Sequence, residues 1–250
     1  MPIDMKESSN SLCNSLFSIE VIDKSVKSLK IGKAQGTDSL SAEHLLHSHP
    51  IIYLHCCNLF KSHVIHGFVP DNFGNGLIIP FIKDKSSPVG SSSNYRANTP
   101  IPVISKLFEG VLLNIANDLL MFDDHQFGLK KNSGCANALY TFRSTVDYFY
   151  ANGSSVYVAT LDVSKPFDVI NHSKLFSALI NIGTPRWIID LLVYWYSKLK
   201  FAVRFKNVLS YTIMVFSGVR QGSCLSPSLL ICLLSTCVEL VSVAMLNRCL

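Results

Sequence analysis

Apolar positions recur at helical spacing along most of this chain and give way to strand-like runs in three places. Ile19, Val21, Ile22, Val26 and Leu29 mark a first helix, and Gly32 ends it by accepting the left-handed backbone that closes helices. Asp38, Ser39 and Ser41 offer caps for a helix over 42–47, since their oxygens can take the unpaired N–H groups of a first turn. A longer apolar helix follows over 51–68, with Pro70 beyond it. Leu77, Ile78 and Ile79 open a strand that runs into the polar loop 84–93 and returns at Tyr95 and Arg96, which predicts a β-hairpin with cations on both sides of its tip.

The same spacing predicts amphipathic helices over 104–120 and 134–150, and further helices over 172–182 and 185–199. Val156, Tyr157, Val158 and Thr160 favour a strand, which ends by presenting Asp162 before Pro166, a residue that cannot donate into a ladder. Residues 201–205 and 211–216 read as a strand pair. Ser226 and Pro227 open a final helix, with Ser as the cap and Pro in the first turn. Residues 1–18, rich in Ser and Asn, read as a loose end.

Composition makes this a folded chain: 48% of its residues are hydrophobic and only 16% charged, enough apolar surface for a core of one or two domains. The net charge of +5 suits a phosphate-rich partner without requiring one. Eight cysteines show no CxxC pair and no signal peptide precedes them, so reduced thiols and an intracellular location are expected. His44, His47 and His49 stand close together but have no second cluster and no HExxH pattern, so they are read as ordinary histidines.

Two stretches carry chemistry. LDVSKPFD contains Asp162, and GVRQGSCLSP begins 56 positions later at Gly218. Together they resemble motifs A and B of reverse transcriptases in the form carried by non-LTR, LINE-like retrotransposons. GKAQGTDSLSAEHL (32–45), IIPFIKDK (78–85), NYRANTPIPVISKLFE (94–109) and HQFGLKKNSGCANAL (125–139) extend the resemblance in the family's order. The fold it implies is α/β (α+β): fingers over 19–153 and a partial palm over 154–250 of a right-hand polymerase, with no thumb.

By this resemblance the activity is RNA-directed DNA polymerisation, and the partners are an RNA template, a DNA primer and deoxynucleoside triphosphates. Asp162 matches the strand-end carboxylate that binds Mg2+, a cation that suits carboxylate and phosphate oxygens. Lys83 and Arg96 match the hairpin cations that grip the triphosphate. Phe167 matches the bulky residue that excludes a ribose 2′-hydroxyl, and Gln221 and Gly222 match residues lining the nucleotide pocket. Gln126, Gly128, Lys130 and Lys131 match positions along the template, where phosphate contacts carry no sequence information. Asp168 is assigned a capping role in the turn and no metal.

Three departures limit the resemblance. No Tyr-x-Asp-Asp hairpin follows the motif B helix before Leu250, so this chain alone is expected to bind magnesium weakly and not to polymerise. Pro166 stands where the family most often has Ala and removes an N–H from a turn that holds triphosphate. Ala97 and Asn98 replace the usual Pro-Ile after Asn-Tyr-Arg. Two other readings compete: a non-catalytic nucleic-acid-binding remnant that keeps only the basic fingers, and a membrane-anchored protein using 229–246. That last stretch barely reaches spanning length and contains Glu239, so no membrane association is the expectation.

Overall fold

The computed structural model describes residues 16–36, 38–83, 86, 90–91, 94–116, 126–128, 132–160 and 163–234. Most of the helices follow the predicted periodicity. Helix α1 (Ile19–Lys27) buries Ile22 and Val26, and its N-cap Ser18 Oγ accepts the Val21 N–H at 3.4 Å. In α2 (Ala42–Leu46), the His44 Nδ1 accepts the Ser41 N–H at 3.1 Å, which gives that histidine a local capping task. Helices α3 (Ile51–His66), α4 (Asp71–Gly74) and α5 (Val103–Ala116) complete the first half of the core. Helices α6 (Cys135–Ala151), α7 (His172–Asn181) and α8 (Arg186–Ser197) follow, and residues 226–234 are helical.

The predicted hairpin is present. Strands β1 (Asn75–Ile82) and β2 (Tyr95–Asn98) pair antiparallel with Phe81 opposite Arg96. The first half of β1 pairs parallel with β3 (Lys200–Phe205), Gly76 facing Phe201, across a connection of more than a hundred residues. β3 also pairs antiparallel with β4 (Val208–Leu209) and β5 (Ile213–Met214), so the strand pair read over 201–205 and 211–216 forms, with a short second strand. One sheet thus joins the hairpin to the segment that leads into the 218–227 block.

An aromatic cluster joins the helices to one another. Phe108 on α5 lies 4.8 Å from Phe60, 5.7 Å from Trp195 and 6.4 Å from Phe17, measured between ring centroids. Phe17 is fully buried, and its carbonyl accepts the Cys57 thiol at 2.6 Å. The segment over 1–18 therefore does not end loose: residues 16–18 are tied into the core, while 1–15 lie outside the described residues. The large apolar area of an aromatic side chain is enough to dock the start of α1.

Two other expectations change. Residues 156–160 form no strand and are exposed, Tyr157 being 95% accessible. A strand exists through its ladder, and no described strand lies alongside this run to accept its N–H groups. Helix α6 buries none of its residues: Leu139, Tyr140 and Phe142 stay in solvent, so its apolar positions do not form a core-facing stripe. No helix among the described residues is long and apolar enough to cross a membrane, although 235–246 of the 229–246 stretch lie outside them.

Among the described residues, the core contains a titratable ring with no polar partner. His63 is 2% exposed, both its ring nitrogens lack hydrogen bonds, and Phe68, Phe73 and Phe108 surround it at centroid distances of 5.5–5.8 Å. Desolvation disfavours the charged ring and lowers its pKa from 6.5 to about 4. The unfolded chain therefore takes up this proton first, so stability is complete above pH 6.5 and declines as the pH falls from 6.5 towards 4. The expected decline is about 2 kcal/mol. In urea titrations at pH 7 and pH 4.5, His63→Leu should lose less stability on acidification than the parent chain.

Candidate functional site

The 218–227 block is held against the 163–171 turn by backbone pairing. Asn171 and Ser217 form an isolated antiparallel bridge. The Gly218 N–H donates to the Ile170 carbonyl at 2.7 Å and the Val219 N–H to the Phe167 carbonyl at 2.7 Å. His172 Nε2 donates to the Gly218 carbonyl at 2.8 Å. Gly218 has φ +84°, and a Cβ there would lie 2.8 Å from the Phe167 oxygen and 2.9 Å from that of Asp168. Both the conformation and the space exclude other side chains.

Val219 and Arg220 are buried, whereas Gln221 stays partly exposed and its Nε2 donates to Asp168 Oδ1 at 2.9 Å. Gly222, at φ +113°, lies against the end of β2, where an added Cβ would come within 2.8 Å of the Thr99 carbonyl. Gly222→Ala should therefore cost about 1–3 kcal/mol, read as a lower urea midpoint, because strain and collision act together. Unchanged stability would mean that the loop does not approach Thr99.

Arg220 points inward. One guanidinium nitrogen donates to Glu109 on α5, another to the Phe73 carbonyl, and the group lies 4.9 Å from the Trp195 ring centroid. The second Glu109 oxygen accepts from Ser223 Oγ at 2.9 Å and from the Cys224 N–H at 2.8 Å. Ser223 Oγ also accepts the N–H groups of Leu225 at 3.2 Å and Ser226 at 3.3 Å, so Ser223, and not Ser226, supplies the oxygen that starts helix 226–234. Sequence reasoning missed Glu109 and Arg220. The available signal was a lone acid among the apolar positions Leu107, Phe108, Val111 and Leu112, with one arginine inside a glycine-bounded loop.

The residues singled out in the sequence are distributed as follows. Asp162 lies outside the described residues, as do Lys130 and Lys131. Phe167 is partly buried against the core, one residue from Asp168. Asp168 does not cap a helix: its carboxylate accepts from Gln221, while Asn171 caps α7 by accepting the Lys174 N–H at 3.0 Å. The Lys83 N–H donates to the Asn94 carbonyl at 2.8 Å near the hairpin tip. Arg96 stands on β2 three residues before Thr99, about 10 Å along the strand from the contact with Gly222. Gln126 Nε2 donates to the Gly128 carbonyl at 3.0 Å, a local bond within that turn.

The structure therefore joins the turn after Asp162, the Gln221–Gly222 loop and the base of the hairpin, through Asp168 and Thr99 respectively. No three His, Cys, Asp or Glu side chains among the described residues come together to hold a metal ion. Cys56, Cys57, Cys135, Cys224 and Cys232 are free thiols, and burial pushes the Cys232 thiol up to about 11.

Residues 82–249 match the family described as reverse transcriptase (RNA-dependent DNA polymerase). The chain is 25% identical over 217 residues to a probable RNA-directed DNA polymerase from transposon BS of Drosophila melanogaster, covering 84% of this chain and 24% of that protein. It is 30% identical over 162 residues to the probable RNA-directed DNA polymerase from transposon X-element of the same organism, covering 63% of this chain and 18% of that protein. A chain of a partial Cas6-RT-Cas1–Cas2 complex aligns with a TM-score of 0.47 at 15% identity, over 90% of this chain and 34% of that one. The chain thus spans about a quarter or less of the length of these curated relatives.

Proposed function

Because the chain belongs to the reverse transcriptase (RNA-dependent DNA polymerase) family, we propose that it forms the fingers and part of the palm of an enzyme that copies RNA into DNA. The observation that carries this is the junction at Gln221 and Gly222. Gln221 reaches Asp168 in the turn after Asp162, and Gly222 packs on Thr99 at the foot of the hairpin strand that carries Arg96. Template-directed addition needs the triphosphate grip, the sugar contact and the carboxylate on one nucleotide, and these connections tether the segments that would supply them.

In this reading Lys83 and Arg96 hold the triphosphate, as point charge and fork respectively. Gln221 and Gly222 line the nucleotide pocket, with the glycine letting backbone come close to base and sugar. Phe167 blocks a ribose 2′-hydroxyl. Gln126, Gly128, Lys130 and Lys131 lie along the template. Asp162 would supply one carboxylate towards magnesium, whose chemistry would be activation of the primer oxygen and stabilisation of the leaving pyrophosphate. The remaining ligands must come from outside the described residues.

Extension of the chain past Leu250 with the corresponding portion of a retrotransposon relative tests the proposal. That fusion should extend a DNA primer on an RNA template in magnesium, whereas the 250-residue chain should not. A folded fusion that binds template and primer but adds no nucleotide would refute it.

A further inference from the structure

Glu109 and Arg220 have no task in the reading above, yet they organise the loop on which it depends. Both are buried, at 0% and 3% exposure. The Glu109 carboxylate engages Arg220 on one side of the Gln221–Gly222 dipeptide, and Ser223 Oγ and the Cys224 N–H on the other. Both ends of the dipeptide are thus fixed to one point on α5. That helix begins at Val103, a few residues after Thr99, against which Gly222 lies. The guanidinium is oriented in turn by the Phe73 carbonyl and the Trp195 face.

A buried ion pair is a poor source of stability compared with apolar residues of similar volume. What it adds is direction, since a carboxylate with three donors defines where each donor stands. We infer that Glu109 is a positioning residue: through Arg220, Ser223 and Cys224 it sets the pose of Gln221 and Gly222 beside Asp168 and the foot of the hairpin. The inference rests on the nucleotide reading of Gln221 and Gly222 only for its consequence in catalysis.

The 250-residue chain is itself suitable for the test because it contains three glutamines, Gln35, Gln126 and Gln221. With nitrogen-15 glutamine labelling, the Gln221 side-chain amide becomes a single reporter, identified by its loss in Gln221→Ala. The doubly apolar variant Glu109→Met/Arg220→Met removes both charges and the acceptor. It should fold with a cooperative melt, move the Gln221 side-chain signal, and exchange the amides of 217–225 about tenfold faster or more. Glu109→Gln/Arg220→Met keeps an acceptor for Ser223 and Cys224 and should return the Gln221 signal towards that of the parent.

A parent-like Gln221 signal and parent-like exchange in the folded Met/Met variant would overturn the inference. Should that variant fail to fold, Glu109→Asp decides: it keeps the charge on a shorter stem, and the signal should shift, whereas an unmoved signal would reject the positioning role. Addition of magnesium–dTTP to a parent chain bound to a template–primer with adenine as the next template base reads the other premise separately. A Gln221 signal that does not respond to the nucleotide would count against the nucleotide pocket and leave the positioning role standing.

Discussion

Arg220→Met alone is expected to lower stability by about 3–5 kcal/mol, because it leaves the Glu109 carboxylate buried without its counter-ion. The same change removes the donor to the Phe73 carbonyl and the contact with the Trp195 ring. Ser223 and the Cys224 N–H still donate to Glu109, but neutral donors do not replace a charge in a water-free site. Urea unfolding should show a lower midpoint with an unchanged slope. The exposed pairs Lys27–Asp23 at 2.7 Å and Arg186–Asp190 at 2.9 Å provide the control. Breaking either should cost no more than about 1 kcal/mol, since water and salt screen them. A loss for Arg220→Met no larger than those would mean that water reaches the Glu109 pair. Adding Glu109→Met to Arg220→Met should recover much of the loss, because the stranded charge goes with it.

In the fusion described above, Asp162→Asn is expected to abolish primer extension at unchanged stability. An amide keeps the size of the side chain but gives up the negative charge that a hard divalent cation requires. Metal-assisted transfer depends on that charge for several kcal/mol of transition-state stabilisation, which corresponds to a rate lower by about 10³-fold or more. Binding of template and primer should survive, since it rests on the basic residues and on charge neutralisation along the phosphates. Single-turnover extension on an RNA template, beside filter binding at matched salt, separates the two effects. A fusion that extends equally well with and without this carboxylate would remove Asp162 from the site.

The helices and the hairpin were legible because their signals are local. Ile22 and Val26 lie one turn apart and face one core whatever the remainder of the chain does, and Ser18 caps the first turn beside them. The hairpin of β1 and β2 needs only two apolar runs and a polar loop between them. The motif blocks were legible for another reason: Gly218 and Gly222 occupy backbone conformations that other residues adopt at a cost, so a loop of this shape calls for glycine at those two positions.

Local pattern misled wherever a partner was needed. Val156, Tyr157 and Val158 have strand propensity, but propensity expresses how well a residue fits a pleated, half-buried surface, and no described strand provides that surface. Helix α6 has apolar residues at helical spacing and no described neighbour to bury them. Phe17 erred in the opposite sense: it lies in a polar-looking segment, yet one aromatic ring was enough to fill the space beside Phe108.

By itself the sequence determined most of the helices, the hairpin, the reverse transcriptase family and the order of the motif blocks. The tertiary structure alone decided that β1 runs parallel to β3, that Gln221 meets Asp168, and that Glu109 closes on Arg220 across 111 positions. Contacts of that separation leave no periodic trace. They form only after the chain has paid the entropy of closing a long loop, and that cost is met by the core as a whole and not by the residues that meet.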